Sequence, residues 1–139
     1  RNGALLTWPI IARQIREGSG NPMLKPGDKL LIAHRRLFEE DQPRFFVGRV
    51  VAYADGIAKV AGHAWVKERV RGDFGRKPDE RIKFVPLTSG SVMAYELPAA
   101  VDLARLVMRS TKLGLVFTDD AGFTMDLTDR VPQLSKSER

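Results

Sequence analysis

The chain has 139 residues, no cysteine and two histidines, with 43% hydrophobic and 29% charged residues. This length fits one domain with its own core, the apolar content excludes a disordered chain, and the lack of cysteine excludes disulfides and thiolate metal sites. The formal net charge of +6 favours anionic partners such as nucleic acid.

The same sequence contains no apolar run of the roughly 18 residues that a membrane-spanning helix needs. We therefore expect no membrane segment, and the absence of cysteine fits the reducing environment of the cytoplasm. Two histidines without spaced carboxylates do not form a metal site, and no glycine-rich phosphate loop is present. We expect neither a metal nor a cofactor.

The first part of the chain predicts a helix and then a strand. Thr7–Glu17 has a capping residue at its start, a proline in its opening turn and apolar residues on one face, and Gly18 ends it. A Pro-Gly turn at Pro26-Gly27 precedes a strand over Lys29–Arg36. Leu37–Arg44 is rich in acidic residues and is expected to form an exposed loop.

The central stretch, Phe45–Lys67, predicts a β-hairpin. Its side chains alternate with a period of two on both sides of Asp55-Gly56, a pair typical of tight hairpin turns. Both faces carry apolar residues, so we expect both to be covered. Gly48 and Gly62 lie inside the strand patterns, where a glycine indicates a bulge, a bend or a close backbone approach. Two bent strands favour a small barrel over a flat sheet.

A basic segment, Val66–Lys83, follows the hairpin and is expected to be a long, mobile connection. Its seven basic residues are Lys67, Arg69, Arg71, Arg76, Lys77, Arg81 and Lys83. Clustered cations bind polyanions without sequence preference, and Phe74 could stack on a base among them. The alternative interpretation is a solvated loop whose charges aid solubility.

Two further strands complete the expected barrel. Arg81–Leu87 predicts a fourth strand, a Ser-Gly turn follows, and Val92–Leu97 predicts a fifth strand that Pro98 ends. We therefore assign residues 1–98 to the N-terminal helix and the barrel, and residues 99–139 to a C-terminal extension packed on the barrel.

The extension has an ambiguous pattern at its start. Ala99–Ser110 suits a helix or a strand, and we favour a short helix followed by a strand. Gly114–Asp119 and Gly122–Leu127 flank Asp120-Ala121 and predict a second hairpin. The tail from Val131 is polar and is expected to fray. This extension could cover a sheet edge or shape an oligomer.

The stretch Leu24–Pro98 resembles the Sm-like family. The first family motif is matched by Phe46, Gly48, Val50, Tyr53, Asp55 and Gly56, and the second more loosely by Thr88–Ser91 and Val92–Tyr95. The resemblance implies a mainly β fold with a five-stranded, SH3-like barrel, to which the N-terminal helix and the C-terminal helix and hairpin are added. It also implies a homo-oligomer, such as a ring formed by paired edge strands, that binds RNA without enzymatic activity. The chain also resembles bacterial Sm-like proteins that carry such an extension.

These considerations give a set of candidate site residues and no catalytic residue. The candidate RNA-binding residues are Lys59, Lys67, Arg69, Arg71, Phe74, Arg76, Lys77 and Arg81. The residues expected to build the turn of the first motif are Gly48, Asp55 and Gly56.

An enzymatic alternative rests on Ser19 and Lys67. The stretch from Ser19 to Asp28, followed by an apolar strand and then Lys67, resembles signal-peptidase-like serine/lysine proteases. In that family a serine is the nucleophile, and a lysine with a pKa lowered by burial is the general base. Three residues separate Ser19 from Met23, whereas the family places methionine directly after the serine.

Overall fold

A computed structural model describes residues 23–38, 40–68 and 73–128, and these residues are mainly β. The strands are β1 (Lys29–His34), β2 (Phe45–Ala54), β3 (Ile57–Lys67), β4 (Phe74–Arg76), β5 (Arg81–Pro86), β6 (Val92–Leu97), β7 (Val107–Thr111), β8 (Gly114–Thr118) and β9 (Thr124–Asp126). A single 3₁₀ turn, Leu103–Arg105, lies between β6 and β7. The expected helix Thr7–Glu17 lies outside the described residues.

Two antiparallel sheets form the fold. The larger sheet has the order β4-β3-β2-β1-β6. Strands β5 and β4 pair with the same edge of β3: β5 pairs with its first half and β4 with its end. The smaller has the order β7-β8-β9. In the described part of the chain β5 and β6 do not pair, so the expected five-stranded barrel is corrected to a six-stranded antiparallel sheet that does not close.

The central hairpin is confirmed at the predicted turn. Asp55 has φ 53° and Gly56 has φ 78°, the positive values that a tight turn of matching twist requires. The pairing of β2 with β3 shifts between Val50 and Ala52, so Val51 forms a bulge that increases the twist of the hairpin.

Gly48 and Gly62 lie opposite each other at a close approach of β2 and β3. A Cβ on Gly62 would lie 2.5 Å from the Cα of Gly48 and 2.7 Å from the carbonyl carbon of Val47. Both neighbours are backbone atoms, so no side-chain rotation relieves the clash. The predicted close approach is confirmed, and it fixes glycine at this crossing.

The two faces of the larger sheet pack on different cores, because residues opposite each other on antiparallel strands point to the same side. One face, called here the concave face, buries a cluster that consists of Leu30, Ile32, Phe46, Val50, Ala58, Val60 and Val85. The opposite face, called the outer face, carries Leu31, Val47 and Trp65 into contact with the smaller sheet.

Phe117 of β8 lies at the centre of the contact between the sheets. Its ring meets Trp65 edge-on at 5.4 Å and Phe123 at 6.4 Å, and its side chain is fully buried. Lys29 reinforces the connection between the sheets, since its ammonium donates hydrogen bonds to the carbonyls of Ala99 and Val101. The extension therefore covers part of the outer face of the larger sheet, whereas its expected helix is reduced to the one 3₁₀ turn.

The second predicted hairpin, β8–β9, is held by carboxylates in its turn. Asp119 accepts hydrogen bonds from the backbone N–H groups of Ala121 and Phe123, which lower the pKa of its carboxyl group. Asp120 has φ 57° and forms a bidentate ion pair with Arg109, whose two Nη atoms lie 2.6 and 2.7 Å from the carboxylate oxygens. Both carboxylates therefore stabilise the β8–β9 turn through hydrogen bonds and an ion pair.

Candidate nucleic-acid interface

The basic segment contains a short strand instead of a continuous mobile loop. Phe74–Arg76 forms β4 and pairs with Trp65–Lys67 at the end of β3. Lys77 then donates its backbone N–H to the carbonyl of Ala64 at 2.8 Å. Arg69 and Arg71 lie outside the described residues.

The candidate cations lie on several surfaces. Lys67, Arg76, Lys77 and Arg81 are exposed, and Lys59 is half-buried. Lys59, Lys67 and Arg76 belong to the outer face, whereas Arg81 lies opposite Gly62 on the concave face. In the part of the chain that the structure describes, none of these five cations makes an ion pair.

Phe74, the expected base-stacking residue, packs inside the protein. Its half-buried ring contacts Phe45 edge-on at 5.9 Å and joins the core between the sheets. The exposed aromatic ring of this region is Phe84 on β5, which the sequence analysis did not select. Lys59 lies with its ammonium 5.7 Å from the centre of the Phe84 ring.

Phe84 belongs to a part of the outer face that the smaller sheet leaves uncovered. We call it the Phe84 patch and define it as Ile57, Lys59, Ile82 and Phe84. Phe84 is 69% exposed and Ile82 is 57% exposed. The alternation of β5 predicts that both share a face, but the sequence alone does not show that the smaller sheet stops short of them.

The opposite edge of the larger sheet, β6, borders a groove of about 640 Å³. On the outer face of β6, Met93 is 59% exposed and Tyr95 is exposed beside it, with its hydroxyl 2.8 Å from the Met93 sulfur. The apolar part of the groove is lined by Ala33, Phe45, Met93, Tyr95 and Leu127. Arg35, Arg36 and Asp126 form its polar rim.

The turn of the first motif is built as expected from Asp55 and Gly56. Leu87 donates its backbone N–H to the Gly56 carbonyl, which ties the turn to the end of β5. A Cβ on Gly56 would lie 3.0 Å from the Thr88 side chain, so the turn packs tightly on that residue. Its role here is structural.

The structure offers little for other chemistries. Among the described residues no group of three His, Cys, Asp or Glu side chains is placed to hold a metal ion. No helix in that same part of the chain has the length and apolar character to cross a membrane. Ser19 lies outside the described residues, and Lys67 is exposed at the end of β3, whereas a general-base lysine needs a desolvated position.

Comparison with known proteins gives no match: no family model, curated protein or solved structure is similar to this chain at a significant level.

Proposed function

We propose that this chain is a non-enzymatic, Sm-like module that assembles with copies of itself through the two free edges of its larger sheet. The observation that carries the proposal is that, among the described residues, no strand pairs with the outer edges of β5 and β6, and each strand has exposed large apolar side chains on the outer face. The lack of cysteine supports a cytoplasmic setting for this assembly.

Free strand edges favour pairing because their N–H and C=O groups are unsatisfied by protein. The two strands each have six residues, so one can add to the other along its full length. Pairing β5 of one copy with β6 of the next is a head-to-tail contact, which closes into a ring if the rotation permits and otherwise forms a filament.

The side chains beside the two edges complement each other. When β5 of one copy lies along β6 of the next with the outer faces aligned, Ile82 and Phe84 come beside Met93 and Tyr95. The groove of about 640 Å³ behind Tyr95 has room for an aromatic ring. Complete burial of a side chain such as Phe84 contributes about 1.5–3 kcal/mol of stabilising free energy, and the isolated chain lacks this contribution because Phe84 is exposed.

Cysteine cross-linking tests this head-to-tail contact, because the chain has no native cysteine. One sample carries Ile82→Cys or Phe84→Cys and the other carries Met93→Cys or Tyr95→Cys. We expect at least one mixed combination to give a disulfide-linked dimer under mild oxidation. A matched Leu113→Cys variant, exposed in the β7–β8 turn, should stay unlinked. If no mixed combination links faster than Leu113→Cys, the contact is absent.

RNA is the ligand we propose for this module, and the support is the set of cations without ion pairs. Within residues 23–38, 40–68 and 73–128, no carboxylate forms an ion pair with Lys59, Lys67, Arg76, Lys77 or Arg81, and each cation that neutralises a phosphate releases counterions. Affinity for a mixed RNA pool should therefore fall steeply with salt. Arg76→Gln should lower the slope of log affinity against log salt, whereas Lys112→Gln in the β7–β8 turn should not. Binding that is absent or insensitive to salt contradicts this part of the proposal.

A further inference from the structure

A histidine and a lysine from different strands lie on the concave face of the larger sheet, and an arginine is hydrogen-bonded to that histidine through the backbone. Lys83 of β5 places its ammonium 4.7 Å from the centre of the Phe46 ring, which is fully buried. His34 ends β1, and its backbone N–H donates to the carbonyl of Arg44 at 3.1 Å. Lys83 and Arg44 are both close enough to His34 to act on its charge.

The charges of Lys83 and Arg44 both act on the imidazole of His34. Partial desolvation lowers the pKa of His34, although much of the residue is exposed, and the charges of Lys83 and then Arg44 lower the pKa further. Glu96, the carboxylate on the concave face of β6, is not among the groups that act on His34. In the described part of the chain neither Lys83 nor Arg44 makes an ion pair.

One carboxylate of the neighbouring loop is held by the loop itself. Asp41 accepts hydrogen bonds at its carboxylate from the backbone N–H groups of Leu37 and Phe38. The site thus combines a planar guanidinium, an ammonium and an imidazole, and no carboxylate of the described residues forms an ion pair with any of them.

We propose that His34, Arg44 and Lys83 form a binding site for a phosphoryl group. A guanidinium matches two phosphate oxygens at once, and an ammonium adds a mobile point charge. A phosphoryl dianion suits several converging cations better than a singly charged carboxylate does. The site goes beyond the proposed assembly, because a single copy of the chain carries all three residues.

The proposal makes binding depend on pH through His34. An anion in the site favours the protonated imidazole, so it raises the His34 pKa from its lowered value. By linkage, affinity for the anion must increase as the pH falls and His34 becomes protonated.

NMR titration of the two histidine rings tests the site, with His63 as the internal reference. The probes are inorganic pyrophosphate and a mixed-sequence RNA decamer, each added to the intact chain across a pH series. We expect a phosphoryl probe to raise the His34 pKa, whereas the His63 signals should be the same with and without the probe at each pH. If only pyrophosphate acts, the natural ligand is a small phosphorylated molecule, and if the decamer acts, it is a nucleic-acid strand.

Matched variants separate the site from general charge. Lys83→Gln and Arg44→Gln should each weaken pyrophosphate binding by about tenfold, the loss expected for one charge-assisted hydrogen bond. Lys112→Gln, which removes an equal charge from the β7–β8 turn, should leave it unchanged. The site is refuted if neither probe moves the His34 signals, or if Lys83→Gln and Arg44→Gln behave like Lys112→Gln.

Discussion

Replacement of Phe117 by alanine should destabilise the whole protein, because this ring joins the two sheets. The side chain is fully buried and has edge-on aromatic contacts at 5.4 Å with Trp65 and at 6.4 Å with Phe123. Removal of a buried phenyl ring typically costs about 3–5 kcal/mol of unfolding free energy, from lost transfer energy and a residual cavity. A typical domain has about 5–15 kcal/mol in total, so Phe117→Ala should leave a marginally stable chain.

Urea unfolding followed by tryptophan fluorescence and by circular dichroism measures this loss. If the sheets unfold as one unit, both signals should report one coincident transition at a lower urea midpoint. Leu113→Ala is the control, since Leu113 is 82% exposed in the β7–β8 turn, and it should change the unfolding free energy by less than about 0.5 kcal/mol. A loss below about 1 kcal/mol, or two separate transitions, would show that the smaller sheet does not share the core.

Two other predictions concern the close strand crossing and the β8–β9 turn. Gly62→Ala should lower the free energy of unfolding, measured by urea titration, by about 1–3 kcal/mol or more, because the new Cβ clashes with backbone atoms. Gly90→Ala should lower it far less, because no atom lies within 4 Å of the new Cβ. Equal losses for the two variants would contradict the close crossing. Asp119→Asn should lower the urea midpoint at pH 6 but not at pH 2. The pKa of the Asp119 carboxyl group is lower in the folded state than its unfolded value near 3.8. The charged carboxylate therefore stabilises the fold at pH values above 3.8, and this stabilisation is lost as the pH falls through the folded pKa. An equal loss at both pH values would contradict this account of the turn.

Local patterns were enough to predict most of the strands in the larger sheet. The Asp55-Gly56 turn fixes the central hairpin by its need for positive φ, and alternation places β5 and β6 close to their observed bounds. The first strand ends at His34, two residues earlier than expected, although the backbone N–H of Arg35 still donates to the carbonyl of Ser91 before β6. These features depend on residues that are near in sequence.

The features that the sequence did not reveal depend on distant contacts. Phe74–Arg76 shows no alternation of its own and becomes a strand because the end of β3 offers a free edge there. The segment before β7 keeps only one 3₁₀ turn, since Leu106 and Met108 are drawn into the core between the sheets. Whether a barrel closes is likewise set by the positions of β5 and β6, which no local pattern specifies.

In the candidate site, too, some features follow from the local sequence and others depend on contacts between distant residues. The basic residues stand out as a group in the sequence because charge is visible in composition, but the sequence does not assign them to the two faces of the larger sheet. It selected Phe74, whose ring is packed on Phe45, and it missed Phe84, whose exposure depends on where the smaller sheet ends. The convergence of His34 and Lys83 joins residues from β1 and β5, so only the fold could reveal it.

Light scattering on the wild-type chain and on Phe84→Glu tests the proposed assembly most directly. We expect the wild type to have a mass that is a multiple of 15.5 kDa, and Phe84→Glu to fall towards the monomer mass because a carboxylate cannot enter the apolar groove beside Tyr95. The matched Leu113→Glu variant should keep the wild-type mass. A wild type that stays at 15.5 kDa at all concentrations, or a Phe84→Glu mass equal to that of Leu113→Glu, would contradict assembly through the free edges.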